Sequence, residues 1–181
     1  MQRRIWPIWV YYGIAVFAFL ADYASKKFIS RTVELNTEKI SVLGNFFEIT
    51  HIRNRGAAFG MLQEQRLFFI LITIVVVSGL LWYLHRSYRS AGSILLLSGL
   101  ATILGGALGN FLDRALYGEV VDFLQFNFGS YTFPIFNIAD TAITVGVGLI
   151  ILDALLTMKQ EKNANGNGEQ TKDESAGQQS V

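Results

Sequence analysis

The chain has 181 residues, 51% hydrophobic and 16% charged, with a mean hydropathy of +0.36 and a formal net charge of +1. Such an apolar composition excludes an ordinary soluble domain, and the near-neutral charge gives no electrostatic footing for nucleic acid. Without cysteine there are no disulfides or thiolates, and with only His51 and His85 and no His-Glu-x-x-His a zinc enzyme is disfavoured, so no metal or cofactor is expected.

Arg3 and Arg4 precede a charge-free run over 5–21. It is longer than the apolar part of a secretory leader, and cleavage after Ala24 would put Asp22 where a small residue is wanted, so it reads as a permanent span of about 5–24. Charge-free runs over 67–84 and 90–112 also match the roughly 20 apolar residues that cross a bilayer as a helix. A fourth span, 134–158, carries Asp140 and Asp153 near its ends. The fold expected is an all-α membrane protein of four transmembrane helices, both termini on one side, with a small sheet beside the membrane.

Charge does not settle the orientation. With the N-terminus inside, Arg3, Arg4, Arg86, Arg89, Lys159 and Lys162 lie inside, against Lys26, Lys27, Arg31, Lys39, Arg53, Arg55, Arg66 and Arg114 outside. Trp6, Trp9, Trp82 and Tyr83 would share one interface.

Between the first two spans, Phe46 to Ile52 is β-branched and aromatic and predicts a strand after turn residues Gly44 and Asn45. Asn54-Arg55-Gly56-Ala57-Ala58-Phe59-Gly60 follows, small and glycine-rich, as a flap, and the β insertion covers about 35–62. His85 to Arg89 is a tight basic connection. Gly99, Gly105, Gly106 and Gly109 in the third span, and Ala142, Gly146 and Gly148 in the fourth, would let helices approach closely. A membrane domain of 1–158 is then followed by a polar stretch, 159–181, with almost nothing apolar to bury and so expected disordered.

Asp122 and Asp140 are the candidates for chemistry. A carboxyl near lipid is expensive and usually functional, and two brought together can share a proton and activate water. Asn110, Asp113 and Arg114 share one helix end and Asn137 lies three residues before Asp140, so two antiparallel neighbours aim polar groups at one end of the bundle. For Asn110, Asp113 and Arg114 a structural network is an equal alternative, because Asp113 and Arg114 could neutralise each other. Asp22 reads as a local anchor or a partner of the site, and His51 as an ordinary strand residue. Asp153, 13 residues past Asp140, lies about 20 Å away along a helix, at the opposite interface, within reach of water or Lys159. Ser25-Lys26 as a Ser/Lys pair is disfavoured: neighbouring helical residues point about 100° apart, and the lysine would have to be buried. A small transporter or a structural bundle subunit are rival readings; the first does not account for the partly stranded insertion, and the second predicts that Asp122→Asn and Asp140→Asn are silent.

Five segments in order resemble the lipoprotein signal peptidase (signal peptidase II) family over most of residues 15–155. They are Asp22-Tyr23-Ala24-Ser25-Lys26, Asn54-Arg55-Gly56-Ala57-Ala58-Phe59, Gly109-Asn110-Phe111-Leu112-Asp113-Arg114, Val120-Val121-Asp122-Phe123 and Phe136-Asn137-Ile138-Ala139-Asp140. The resemblance implies a four-helix aspartyl protease of the bacterial cytoplasmic membrane that removes signal peptides from diacylglyceryl-modified prolipoproteins, with Asp122 and Asp140 as its catalytic pair. Asn54, Asn110, Asp113, Arg114 and Asn137 would bind or support, and Asp22 would support the fold. It also implies an extracytoplasmic β-cradle, an active end outside and cytoplasmic termini; the partners expected are lipidated precursor and membrane lipid, with no nucleic acid, and a monomer is expected.

Overall fold

The computed structural model describes residues 5–37, 39–56 and 62–177, with side chains as far as 162. Four long helices are present: α1 (Ile8–Thr32), α2 (Arg66–Arg89), α3 (Ile94–Tyr117) and α4 (Ile138–Gly177). Each has a segment of 24 or 25 residues long and apolar enough to cross a membrane. Such a segment is about 36 Å long against a hydrocarbon core of about 30 Å. Phe17 of α1, Val75 of α2 and Leu155 of α4 are exposed, which suits a surface facing lipid.

Helix α3 is central. Its Leu97, Leu100, Ala101 and Leu104 bury against Tyr11 and Ala15 of α1 and Leu84 of α2. Ser93 caps it, accepting from the Leu96 amide at 3.0 Å. The α3–α4 crossing is at backbone contact: a Cβ on Gly99 would stand 2.7 Å from the Gly146 carbonyl, and one on Gly146 2.6 Å from that of Gly99. Gly105 and Gly106 meet α1 and α4 in the same way. Gly148, expected among these contacts, has nothing within 4 Å of a Cβ and takes no part.

Helix boundaries depart from the charge-free runs at both ends. The first helix does not stop near residue 24 but runs two turns further, because Asp22 and Lys26 neutralise each other at i, i+4. The fourth begins at Ile138 rather than 134, since Pro134 and the capping Asn137 fix its start. Beyond Lys162, where the apolar segment ends, the backbone stays helical to Gly177, where composition predicted disorder. A helix already nucleated in the bundle can propagate into Lys-, Glu- and Gln-bearing sequence at little cost per residue.

A four-stranded antiparallel sheet caps one end of the bundle: β1 (Lys39–Leu43), β2 (Phe47–Asn54), β3 (Val120–Phe128) and β4 (Tyr131–Thr132), in that spatial order. The β1–β2 hairpin falls where Gly44 and Asn45 predicted it, with Gly44 at φ +51°. The cradle is larger than the 35–62 insertion, because the α3–α4 connection supplies the other half. Its signal was present in the β-branched and aromatic run from Val120, between Gly118 and Gly129. Val121 and Phe123 bury against Ile29 and Val33, seating the sheet on the end of α1. The expected flap residues Ala57, Ala58, Phe59 and Gly60 lie outside the described residues.

Candidate active site

Asp122 is the third residue of β3 and is 2% exposed. A register shift in β2 between Ile49 and Ile52 decides its neighbours. After the shift Ile52 lies opposite Asp122 and Asn54 opposite Val120. Opposed residues share a face, and a one-residue slip would exchange the faces, so this bulge puts Asn54 beside Asp122. Asn54 Nδ2 donates to Asp122 Oδ2 at 2.9 Å, while Asn54 Oδ1 accepts from the Gly56 amide at 2.9 Å.

Asp140 is held by the start of α4. The Asp140 amide donates to Asn137 Oδ1 at 3.0 Å, and the Asn137 amide donates to Asp140 Oδ2 at 3.2 Å, a reciprocal cap. Asn137 is fully buried, and its Nδ2 donates to Asp122 Oδ1 at 2.7 Å. Thus one asparagine touches both carboxyls. Asn110 of α3 completes the ring: its Nδ2 donates to Asp140 Oδ1 at 2.8 Å, and its Oδ1 accepts from Asn137 Nδ2 at 3.2 Å.

Asp122, Asp140, Asn54, Asn110 and Arg114 line one cavity of about 560 Å³, walled by apolar Val120, Phe133, Ile135 and Phe136. Burial, opposed by the hydrogen bond from Asn54, pushes the Asp122 carboxyl up from 3.8 to about 6, and the neighbouring Asp140 charge adds to the rise. The Arg114 guanidinium packs over the Phe69 ring at 4.7 Å and donates to the Gly56 carbonyl at 3.1 Å. It therefore joins α2, α3 and the end of β2 beside the two acids.

Asp113 and Asp22 do not line this cavity. They sit behind it, on Lys26, which is 4% exposed. Its ammonium lies 2.7 Å from Asp22 Oδ2 and 3.1 Å from Asp113 Oδ2, and donates to Asn110 Oδ1 at 2.9 Å. Asp113 thus pairs with Lys26, not with its sequence neighbour Arg114. Asp22 Oδ1 also accepts the Ala139 amide at 2.8 Å, so a side chain of α1 caps α4. Sequence reasoning set the Ser25-Lys26 pair aside on helical direction and on the need to bury the lysine, and assigned Lys26 no other role; the i, i+4 spacing from Asp22 was the available signal. Ser25 donates to the Asp22 carbonyl and is no partner of that lysine. Arg66 was also missed: it donates to the carbonyls of Arg114 and Ala115 and caps α3 beside the site. His51 is a buried strand residue whose Nδ1 meets the Val33 carbonyl at 2.9 Å. Asp153 belongs to the far end, as expected, but its bond is a short one from Ser93, where water or Lys159 was expected.

A family model described as Signal peptidase (SPase) II matches residues 14–156. Among solved structures, a bacterial membrane enzyme determined by the in meso method at 2.3 Å is 39% identical, with a TM-score of 0.78 over 90% of this chain and 96% of that one. A second bacterial membrane enzyme, solved in meso at 1.9 Å, is 38% identical, with a TM-score of 0.73 over 86% of this chain and 97% of the other.

Proposed function

The chain belongs to the signal peptidase II family and is a membrane protease acting on signal peptides, and from this premise we propose that it is an aspartyl endopeptidase for diacylglyceryl-modified bacterial prolipoproteins, cutting before the lipidated cysteine. The observation that carries the proposal is Asn137: a single amide side chain and its own backbone N–H hold Asp122 and Asp140 at one cavity.

In this reading the pair holds one proton, since two like charges so close cannot both ionise cheaply. The burial that pushes Asp122 up to about 6 favours it as the place of that shared proton, whose titration belongs to the pair. Asp140, at the N-terminal end of α4, then acts as the base. Asp140 takes a proton from water as the water oxygen bonds to the scissile carbonyl carbon. Asp122 hydrogen-bonds the carbonyl oxygen, on which charge accumulates, with the Arg114 cation nearby. As the C–N bond breaks, the pair returns a proton to the leaving amine. No metal or cofactor enters these steps.

Val145 and Thr144 of α4 line the cavity and are exposed on the bundle surface, so acyl chains can stay in the bilayer while the peptide lies across the polar end. The sheet end then faces outward from the cytoplasmic membrane and the termini lie in the cytoplasm.

The test is cleavage of a diacylglyceryl-modified precursor peptide in detergent. Asp122→Asn and Asp140→Asn should each abolish turnover, at least 1000-fold by analogy with losses of paired catalytic groups, with the fold intact. Asp153→Asn should cleave normally. Turnover retained in either of the first two variants rejects the assignment, and an intact peptide with wild-type protein favours the transporter reading.

A further inference from the structure

Lys26 is buried and connected to Asp140 through Asn110, yet it touches neither acid of the pair. Its ammonium donates to Asn110 Oδ1 and lies in ion-pair range of Asp22 Oδ2 and Asp113 Oδ2. An ammonium has donors only, and an ionised carboxylate has acceptors only. Asn110 stands between one of each. With its amide turned round, Nδ2 would face the ammonium and Oδ1 would face Asp140, and both contacts would be repulsive. The amide therefore has one allowed direction, Oδ1 toward Lys26 and Nδ2 toward Asp140. The same Oδ1 accepts from Asn137 Nδ2, which also donates to Asp122. Asn137 is directed by the Asp140 amide on its own Oδ1, so Lys26 and Asn137 hold Asn110 Oδ1 from two sides.

We infer that Lys26 is a positioning residue for hydrolysis: its ammonium holds Asn110 Oδ1 in place, and with it the Asn110 Nδ2 that donates to Asp140. The inference rests on the hydrolytic reading above. A neutral side chain in place of Lys26 would weaken or remove that hold on Asn110 Oδ1 and let the Asn110 amide shift away from Asp140. Substrate would still bind, because Lys26 does not line the cavity. The loss belongs to the chemical step.

The experiment is steady-state cleavage of the lipidated precursor peptide by the full chain carrying Lys26→Met, Lys26→Gln or Lys26→Arg, with thermal midpoints measured alongside. Met and Gln should lower kcat at least tenfold and leave KM within about threefold, the pattern of an interaction needed only in the transition state. Arg should recover much of the loss, since guanidinium also lacks an acceptor and a cavity of about 210 Å³ beside Lys26 and Asp113 gives it room. Leu100→Ala, a core change far from these groups, serves as the matched control: at an equal drop in thermal midpoint it should keep kcat.

A folded Met or Gln variant with kcat within twofold of wild type overturns the inference. So does a Leu100→Ala loss of kcat equal to theirs, or an Arg variant no better than Met. Failure of all three Lys26 variants to fold makes the residue structural only and also overturns it. The underlying reading fails separately, by turnover in Asp122→Asn or Asp140→Asn.

Discussion

At the scale of single residues, the site is a set of acids whose surroundings differ. Asp122 is buried in β3, and its carboxyl stands at about 6. Because the shift is upward, the native state holds this proton more tightly than the unfolded chain. Its contribution to stability shrinks as pH rises from 3.8 to about 6. In the proposed mechanism the same proton is needed for turnover. A profile of kcat/KM from pH 4 to 9 should therefore fall on its alkaline side, approaching tenfold per unit above an apparent value at or above about 6 that belongs to the pair. A profile flat to pH 9 contradicts the assignment. Asp22 is different in kind: it pairs with buried Lys26 and caps α4. Asp22→Ala leaves the lysine short of a partner and frees the Ala139 amide, and should destabilise the protein by about 3 kcal/mol, read as a lower thermal midpoint.

At the scale of elements, the end of α4 is placed by what α3 allows. Gly99 and Gly146 bring the two backbones into contact. A methyl group on Gly146 would meet the Gly99 carbonyl and Ile103 at 2.6 Å and force the helices apart. Gly146→Ala should cost about 1–3 kcal/mol. Gly148→Ala, two residues along the same helix with open space around it, should leave the thermal midpoint unchanged or slightly raised. An equal loss in both variants would mean that the crossing does not depend on this contact. Cleavage should follow the same order, because Asn110 of α3 and Asp140 of α4 share a hydrogen bond above that crossing.

At the scale of the whole molecule, the bundle and sheet close on each other without the polar end of the chain. The family match ends at residue 156, and every polar contact of the site involves residues between 22 and 140. A chain ending after Lys162 should insert, fold and cleave the precursor with kcat/KM within about threefold of the full length, an effect below 1 kcal/mol. A tenfold loss on truncation would assign the helical extension of α4 a working role.

The order of apolar runs was enough to count four spans, because crossing lipid demands a length and composition that show in one dimension. Asp122 and Asp140 were legible as costly acids at the edges of apolar sequence, and the β1–β2 hairpin as a glycine turn before a β-branched run. Much of the sheet was not. Strand β3 needs β2 as a neighbour, and its face toward the site depends on a bulge that no local pattern announces. Nor was the burial of Lys26, which is tolerable only because Asp22, Asn110 and Asp113 converge on it from two helices. Periodicity and charge are properties of neighbouring residues and can be read along the chain. Which acceptor completes a buried donor is settled only when distant segments meet, and there the tertiary structure decided.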